Sequence, residues 1–169
     1  MTGSVEGYQA KYFHYTCGGK GPTLTLVRSE HDLVFGGFTS VPWTRNIAYS
    51  ADPTSFIFSL SRNTLHYPYR NLECAVRHHS GCLPAFGGGF AFNSDSDLFL
   101  AENCDKNRLS CCNLGETYSL SSIGDGRVTY GSEEARKYLA GSFNFRVTEL
   151  EVFRVTFLLS SLETAHSAL

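Results

Sequence analysis

Charge is scarce in this chain of 169 residues: 18% of positions are Asp, Glu, Lys or Arg, and the formal net charge is -2. That balance favours neither nucleic acid nor an anionic membrane as a partner, which leaves protein as the expected one. No apolar run is long enough to cross a bilayer as a helix, and no cationic segment leads into an apolar stretch at the N-terminus. No Asn-x-Ser/Thr acceptor is present either. With 42% hydrophobic and 14% aromatic residues, a disordered tail is excluded, and the length suits a single domain with its own core. These features predict a soluble, cytoplasmic protein.

The usual catalytic signatures are missing too. There is no Gly-x-Ser-x-Gly elbow, and neither Gly18-Gly19-Lys20-Gly21 nor Gly87-Gly88-Gly89 follows a phosphate-binding pattern. Those glycines, with Gly36-Gly37, are read as backbone devices for positive φ or close strand approach. Cys74-x3-His78-His79-x2-Cys82 has zinc-ligand residue types without zinc spacing, so a strand end carrying exposed histidines is expected there. Asn93-Ser-Asp95-Ser-Asp97 begins like a calcium loop but has Leu98 where Gly is required and Cys104 where a closing Glu is required. The six cysteines, including vicinal Cys111-Cys112, are read as reduced thiols of an intracellular protein. No catalytic residue, cofactor or metal is therefore expected.

What the chain does have is short alternating segments. Leu24–Val27 and Val34–Phe35 predict a hairpin, and Phe56–Leu60, Cys74–His78 and Leu98–Ala101 predict further strands. Helices are predicted over Gly7–Tyr15 and over Ser132–Leu139, the second capped by Ser132 and stopped by Gly141. Asn103–Ser110 and Ser121–Gly126 read as loops. The stretch Phe143–Phe157 changes its apolar parity near Thr148-Glu149 and again near Val152-Phe153, which predicts two bulges or bends. Trp43, Phe56, Phe58, Phe86, Phe143, Phe145 and Val152 are the expected core. The fold class is mostly β with flanking helices (α+β), two packed antiparallel sheets. Residues 158–169 form a tail, either a strand extension or a short helix around Leu158, Leu159 and Leu162.

Glu149 and Glu151 flank Leu150 at the first predicted bulge. A carboxylate pair can act as acid and base, but strand glutamates of one parity more often face solvent or pair with arginines such as Arg146 or Arg154. They are taken as a candidate partner surface.

Several blocks stand in one order: Gly21-Pro-Thr-Leu-Thr-Leu26, Val34-Phe-Gly-Gly-Phe-Thr39, Trp43, Asp52-Pro53, Phe56-Ile-Phe-Ser-Leu60, Phe86-Gly-Gly-Gly89, Asn113-Leu-Gly115 and the terminal strand. In that order they resemble the TLDc domain of the oxidation-resistance proteins, over residues 1–157. The chain lacks the family's short segment upstream of Ser4 and carries Phe90–Ser96 where the family has His-Asp. The resemblance implies a two-layer antiparallel β-sandwich and a noncatalytic protein-interaction module linked to oxidative-stress protection. It further implies regulation of the vacuolar proton-pumping ATPase by binding its soluble-sector subunits, and a place beside endolysosomal or vacuolar membranes through that partner. A structural or scaffold subunit and a thiol-dependent stress enzyme are the alternatives.

Overall fold

Strict alternation over Thr23–Ser29, with Thr23, Thr25, Val27 and Ser29 all buried, fixes one face of strand β1 inward. The computed structural model describes residues 1–88, 96–120, 123 and 128–156. Short helices α1 (Gly3–Glu6) and α2 (Ala10–Cys17) precede β1 (Thr23–Ser29), β2 (Val34–Thr39), β3 (Ala48–Ser50), β4 (Phe56–Ser59) and β5 (Thr64–His66). After a 3-10 turn at Leu72–Cys74 come β6 (Val76–His78), β7 (Cys82–Phe86), β8 (Leu98–Ala101), β9 (Ser110–Cys112), α3 (Glu133–Lys137), β10 (Asn144–Phe145) and β11 (Val147–Arg154). They form a five-stranded sheet, β11-β1-β2-β4-β5, and a six-stranded sheet, β10-β9-β8-β7-β6-β3, in which every strand pair is antiparallel. The expected mostly-β, two-sheet architecture is what the chain adopts.

The sheets meet across aromatic side chains. Phe145 is fully buried and packs edge-on against Phe35 at 5.5 Å. Trp43 sits among Phe13 (5.4 Å), Phe86 (5.8 Å) and His78 (5.9 Å), and its indole N–H donates to the Thr23 hydroxyl at 2.9 Å. In β2, Gly37 makes room for a ring, whereas a Cβ on Gly36 would first meet the backbone carbonyl oxygen of Thr25 in β1. A Cβ on Gly37 would lie 2.7 Å from the ring of Phe86 inside the sandwich, and one on Gly36 would lie 2.8 Å from Phe58 on the outer face. Close approach, rather than positive φ, is therefore the role of this pair.

The terminal stretch divides between the two sheets at Arg146, β10 pairing with β9 and β11 with β1. The first parity switch is real: Arg28 faces Glu149 and Ser29 faces Val147, so Thr148 is the extra, bulged residue. The second switch is absent. Register runs unbroken from Arg28↔Glu149 to Thr23↔Arg154, and Phe153 lies on the outer face, 47% exposed. Two of the expected core residues are only half-buried: Phe56 stacks on Phe38 at 5.2 Å on that outer face, and Phe143 lies under the Arg136 guanidinium at 5.1 Å. Trp43, Phe58, Phe86, Phe145 and Val152 are buried.

Helix α3 has the predicted cap, with Ser132 Oγ accepting from Ala135 N–H at 3.2 Å. Gly141 adopts φ +89 and returns its N–H to Lys137 O at 2.9 Å, ending the helical segment. The N-terminal helix differs from expectation. Gly7, at φ +93, separates α1 from α2, and the N–H of Ala10 at the start of α2 is satisfied from outside by Glu102 Oε2 at 3.1 Å. Cys74 belongs to a 3-10 turn, so the strand predicted from it begins only at Val76. Phe157, Gly89, the Phe90–Asp95 part of the inserted loop, most of Ser121–Gly126 and the tail 158–169 lie outside the described residues.

Candidate functional site

Two carboxylates are built into the interior. Asp97 is fully buried, and its Oδ1 accepts the backbone N–H groups of Gly115 (2.7 Å), Glu116 (3.1 Å) and Tyr118 (3.2 Å), while Oδ2 accepts that of Thr117 (2.8 Å). Gly87, at φ +69, lies against that same carboxylate, where a Cβ would collide with Oδ2. Burial pushes Asp97 up to about 7, and the four N–H donors pull the other way. Asp52 accepts from Thr39 Oγ1 (2.7 Å), both the N–H and Oγ of Ser40 (2.7 and 2.9 Å), and both the N–H and Oγ1 of Thr54 (3.1 and 2.7 Å). Burial raises its pKa, but these donors outweigh burial and hold it below the ordinary value. Carboxylates gripped by so many neighbouring donors organise loops.

Thiols and imidazoles are also turned inward. All six cysteines are buried and no disulfide joins them. Burial pushes the thiols of Cys82 and Cys111 up to about 11 and those of Cys104 and Cys112 up to about 12, and raises those of Cys17 and Cys74. A thiol so raised holds little thiolate at neutral pH. His78 is buried against Trp43, contrary to the expectation of exposed histidines. One ring nitrogen accepts from Thr44 N–H at 3.3 Å and the other meets Ser50 Oγ at 3.0 Å. His14, His66 and His78 are all lowered, first by burial. Among the described residues, no three His, Cys, Asp or Glu side chains are grouped as metal ligands would be.

The five-stranded sheet also carries apolar side chains on its outer side. Residues whose side chains alternate away from the core form one apolar face: Phe153, Leu24, Phe38 and Phe56 are cross-strand neighbours in one row, and Phe58 stands in the next. Tyr67, 54% exposed, approaches Phe56 at 6.1 Å, and between β4 and β5 the face deepens into a groove of about 610 Å³. Phe38 and Phe58 are buried although nothing of the second sheet covers them, because neighbouring rings shield them.

Glu149 and Glu151 stand at the β11 margin of this face, opposite Arg28 and Leu26, and both are half-buried. They are not equivalent. Glu149 Oε1 accepts from Ser4 N–H (3.2 Å), Leu150 N–H (3.0 Å) and the Tyr8 hydroxyl (3.4 Å), tying α1 to the bulged strand. Burial raises its pKa, and these donors bring it below the ordinary value. Glu151 forms a β-bridge with Thr2. Arg146 pairs instead with Glu30 at 3.7 Å, which Arg108 also grips through two 2.7 Å bonds.

Sequence reasoning missed Asp97 and Asp52 as organisers. Asp52 had a usable signal, since Asp-Pro-Thr-Ser is a turn in which an Asp side chain binds following N–H groups. Asp97 had none: its four donors lie 18 to 21 positions away.

The fold and its inward-turned polar groups define a two-layer β-sandwich domain. The family model for the TLDc domain matches residues 2–156, and the chain belongs to that family. Comparison with individual curated proteins gives no match. Among the described residues, no helix is long and apolar enough to cross a membrane.

Two outcomes follow. Asp97→Asn replaces a carboxylate oxygen by an amide NH2 facing donors, stranding at least one buried N–H; urea melts should show a loss of about 1 to 3 kcal/mol. His66 donates from Nδ1 to Ser119 O at 2.8 Å, and its other nitrogen meets Thr64 Oγ1 at 3.1 Å, so the fold holds it neutral. Its folded pKa lies below the unfolded value of about 6.5, so the folded form binds fewer protons and its contribution to stability is lost as pH falls below 6.5. Urea midpoints at pH 7 and pH 5 should therefore differ less in His66→Gln than in the unmodified chain.

Proposed function

We propose that this chain is a noncatalytic protein-interaction module that serves oxidative-stress protection by binding soluble-sector subunits of the vacuolar proton-pumping ATPase and tuning its activity. Membership of the TLDc family supports the oxidation-resistance assignment. The observation that carries the reading is the division of chemistry between inside and outside. Every thiol and both organising carboxylates face the core, whereas the outer sheet face offers aromatic area with two glutamates at its margin. A thiol-dependent stress enzyme would need an accessible, low-pKa cysteine, and burial raises all six. On this reading the protein works in the cytoplasm and reaches endolysosomal or vacuolar membranes only through its partner.

The geometry separates the two glutamates as probes. Glu149→Lys breaks the anchor to Ser4 and Tyr8 and should lower the melting temperature. Glu151→Lys should leave it within about 2 °C while slowing association with the purified soluble sector, since charges at a rim act chiefly on encounter. Surface plasmon resonance on the two variants, with ATPase assays alongside, tests this. No binding by the unmodified chain and unchanged ATPase activity would refute the proposal.

A further inference from the structure

β11 is the outermost strand of its sheet, with β1 on one side. Val155 N–H donates to Pro22 O on the β1 side, so the odd-numbered residues here turn their backbone groups to β1 and Leu150 and Val152 turn theirs outward. A row of outward N–H and C=O groups is a template for another strand. The chain's own first residues occupy it. Val152 N–H donates to Met1 O at 2.8 Å, Met1 N donates to Val152 O at 2.9 Å, and Thr2 forms an antiparallel bridge with Glu151. Beyond Thr2 this arm curls into α1, and side chains close the edge instead. Glu149 Oε1 accepts Leu150 N–H at 3.0 Å, and the Tyr8 hydroxyl donates to Thr148 O at 3.2 Å.

The arm holds this place with little. α1 buries only Gly3, Val5 is 81% exposed, and Gly7 at φ +93 divides the arm from α2. Met1 packs against the core, yet a cavity of about 160 Å³ remains beside it, lined also by Cys17, Thr23 and Val152. Because side chains alternate, a strand seated in the arm's place turns the residue opposite Val152 toward this cavity and the next, opposite Glu151, to the outer side. Two positions further on, the same outer side meets Glu149, whose carboxylate loses the Ser4 N–H when the arm leaves. Opposite charges facing each other across strands stabilise the pairing.

We propose that the outer edge of β11 is a binding site for an extended segment of a partner protein, which displaces residues 1–6 and adds a sixth strand to the sheet. Its recognition pattern is a bulky apolar residue opposite Val152, with Lys or Arg opposite Glu151 and Glu149. This edge is a surface distinct from the apolar outer face, and its test uses no pump subunit, so its failure is distinguishable from a failure of the reading above.

The probe is a fluorescein-labelled peptide, Thr-Leu-Lys-Val-Lys, whose Leu is to face Val152 and whose lysines are to face Glu151 and Glu149. Thr2→Pro/Ser4→Pro releases the arm: proline cannot adopt the φ of -128 at Thr2, and the two substitutions delete N–H groups that Glu6 and Glu149 accept. Near-ultraviolet dichroism of Trp43 is the fold check, and Ser4→Pro alone takes over if the double variant loses it. By fluorescence anisotropy, the released chain should bind the probe at least about tenfold more tightly than the unmodified chain, because the tethered competitor is gone. The same peptide N-methylated at Leu and Val, the amides that pair with β11, should not bind. Glu151→Lys in the released chain should reverse the preference for this peptide over Thr-Leu-Glu-Val-Glu. The unmodified chain, at higher concentration, should show the same discrimination against the N-methylated peptide. Equal binding of the N-methylated peptide, an unchanged charge preference, or no gain on release in a natively folded variant would overturn the proposal and leave the arm as a protective cap on the edge.

Discussion

Gly37 has no side chain, and the ring of Phe86 occupies the space where one would be. That contact joins a residue of the five-stranded sheet to a residue of the six-stranded sheet, and the rest of the core is arranged around it. Phe86 turns its edge to Trp43, which carries Phe13 of α2 and His78 of β6 on its other sides and is pinned by the Thr23 hydroxyl of β1. Dispersion falls off steeply with distance, so sheets held even one methyl group further apart would lose much of this packing at once. Immediately beyond Phe86, Gly87 leads the chain against the Asp97 carboxylate. The same short segment thus supplies both the apolar seam and the approach to the polar one.

Asp97 explains why a sandwich with such short strands keeps well-defined loops. The turn over Gly115–Tyr118 has four N–H groups with no strand to pair with, and a single carboxylate satisfies all of them. Asp52 does the same for Ser40 and Thr54 in a turn that the Ser55 and Tyr118 hydroxyls link to the first. Burying a carboxylate is costly unless donors surround it, and both residues have such donors. The cysteines follow the same logic as small hydrophobes of the interior. The five-stranded sheet departs from the usual alternation by keeping Leu24, Phe38, Phe56, Phe58 and Phe153 on its outer side.

Much of this was legible in the residues. The β1–β2 hairpin, the strands at Phe56 and Leu98, the Ser132 cap, the Gly141 stop and the Thr148 bulge all follow from local pattern. Strand parity went wrong at Phe56 and Phe153 for one reason: large aromatics were read as core, and the five-stranded sheet carries apolar residues on both faces; Phe143, just before β10 of the other sheet, is half-covered by Arg136 instead. Strands β3, β5 and β9, three residues each, are too short for alternation to register, and they form because neighbours offer paired edges. His78 looked exposed because spacing along a strand says nothing about what packs over it, here Trp43. That Glu149 and Glu151 stand beside a bulge was legible. Their different tasks, Glu149 anchoring α1 and Glu151 at the sheet margin, depend on contacts some 145 residues apart in sequence.

A double-mutant cycle on Gly37→Ala and Phe86→Leu, read by urea denaturation, tests the central contact most directly. If the absent side chain of Gly37 is what seats the Phe86 ring, Gly37→Ala alone should be strongly destabilising. Adding Phe86→Leu, which removes the clashing ring, should recover part of the loss, giving a coupling energy of at least about 1 kcal/mol. Losses that simply add, within about 0.5 kcal/mol, would mean that the two sheets are held together elsewhere.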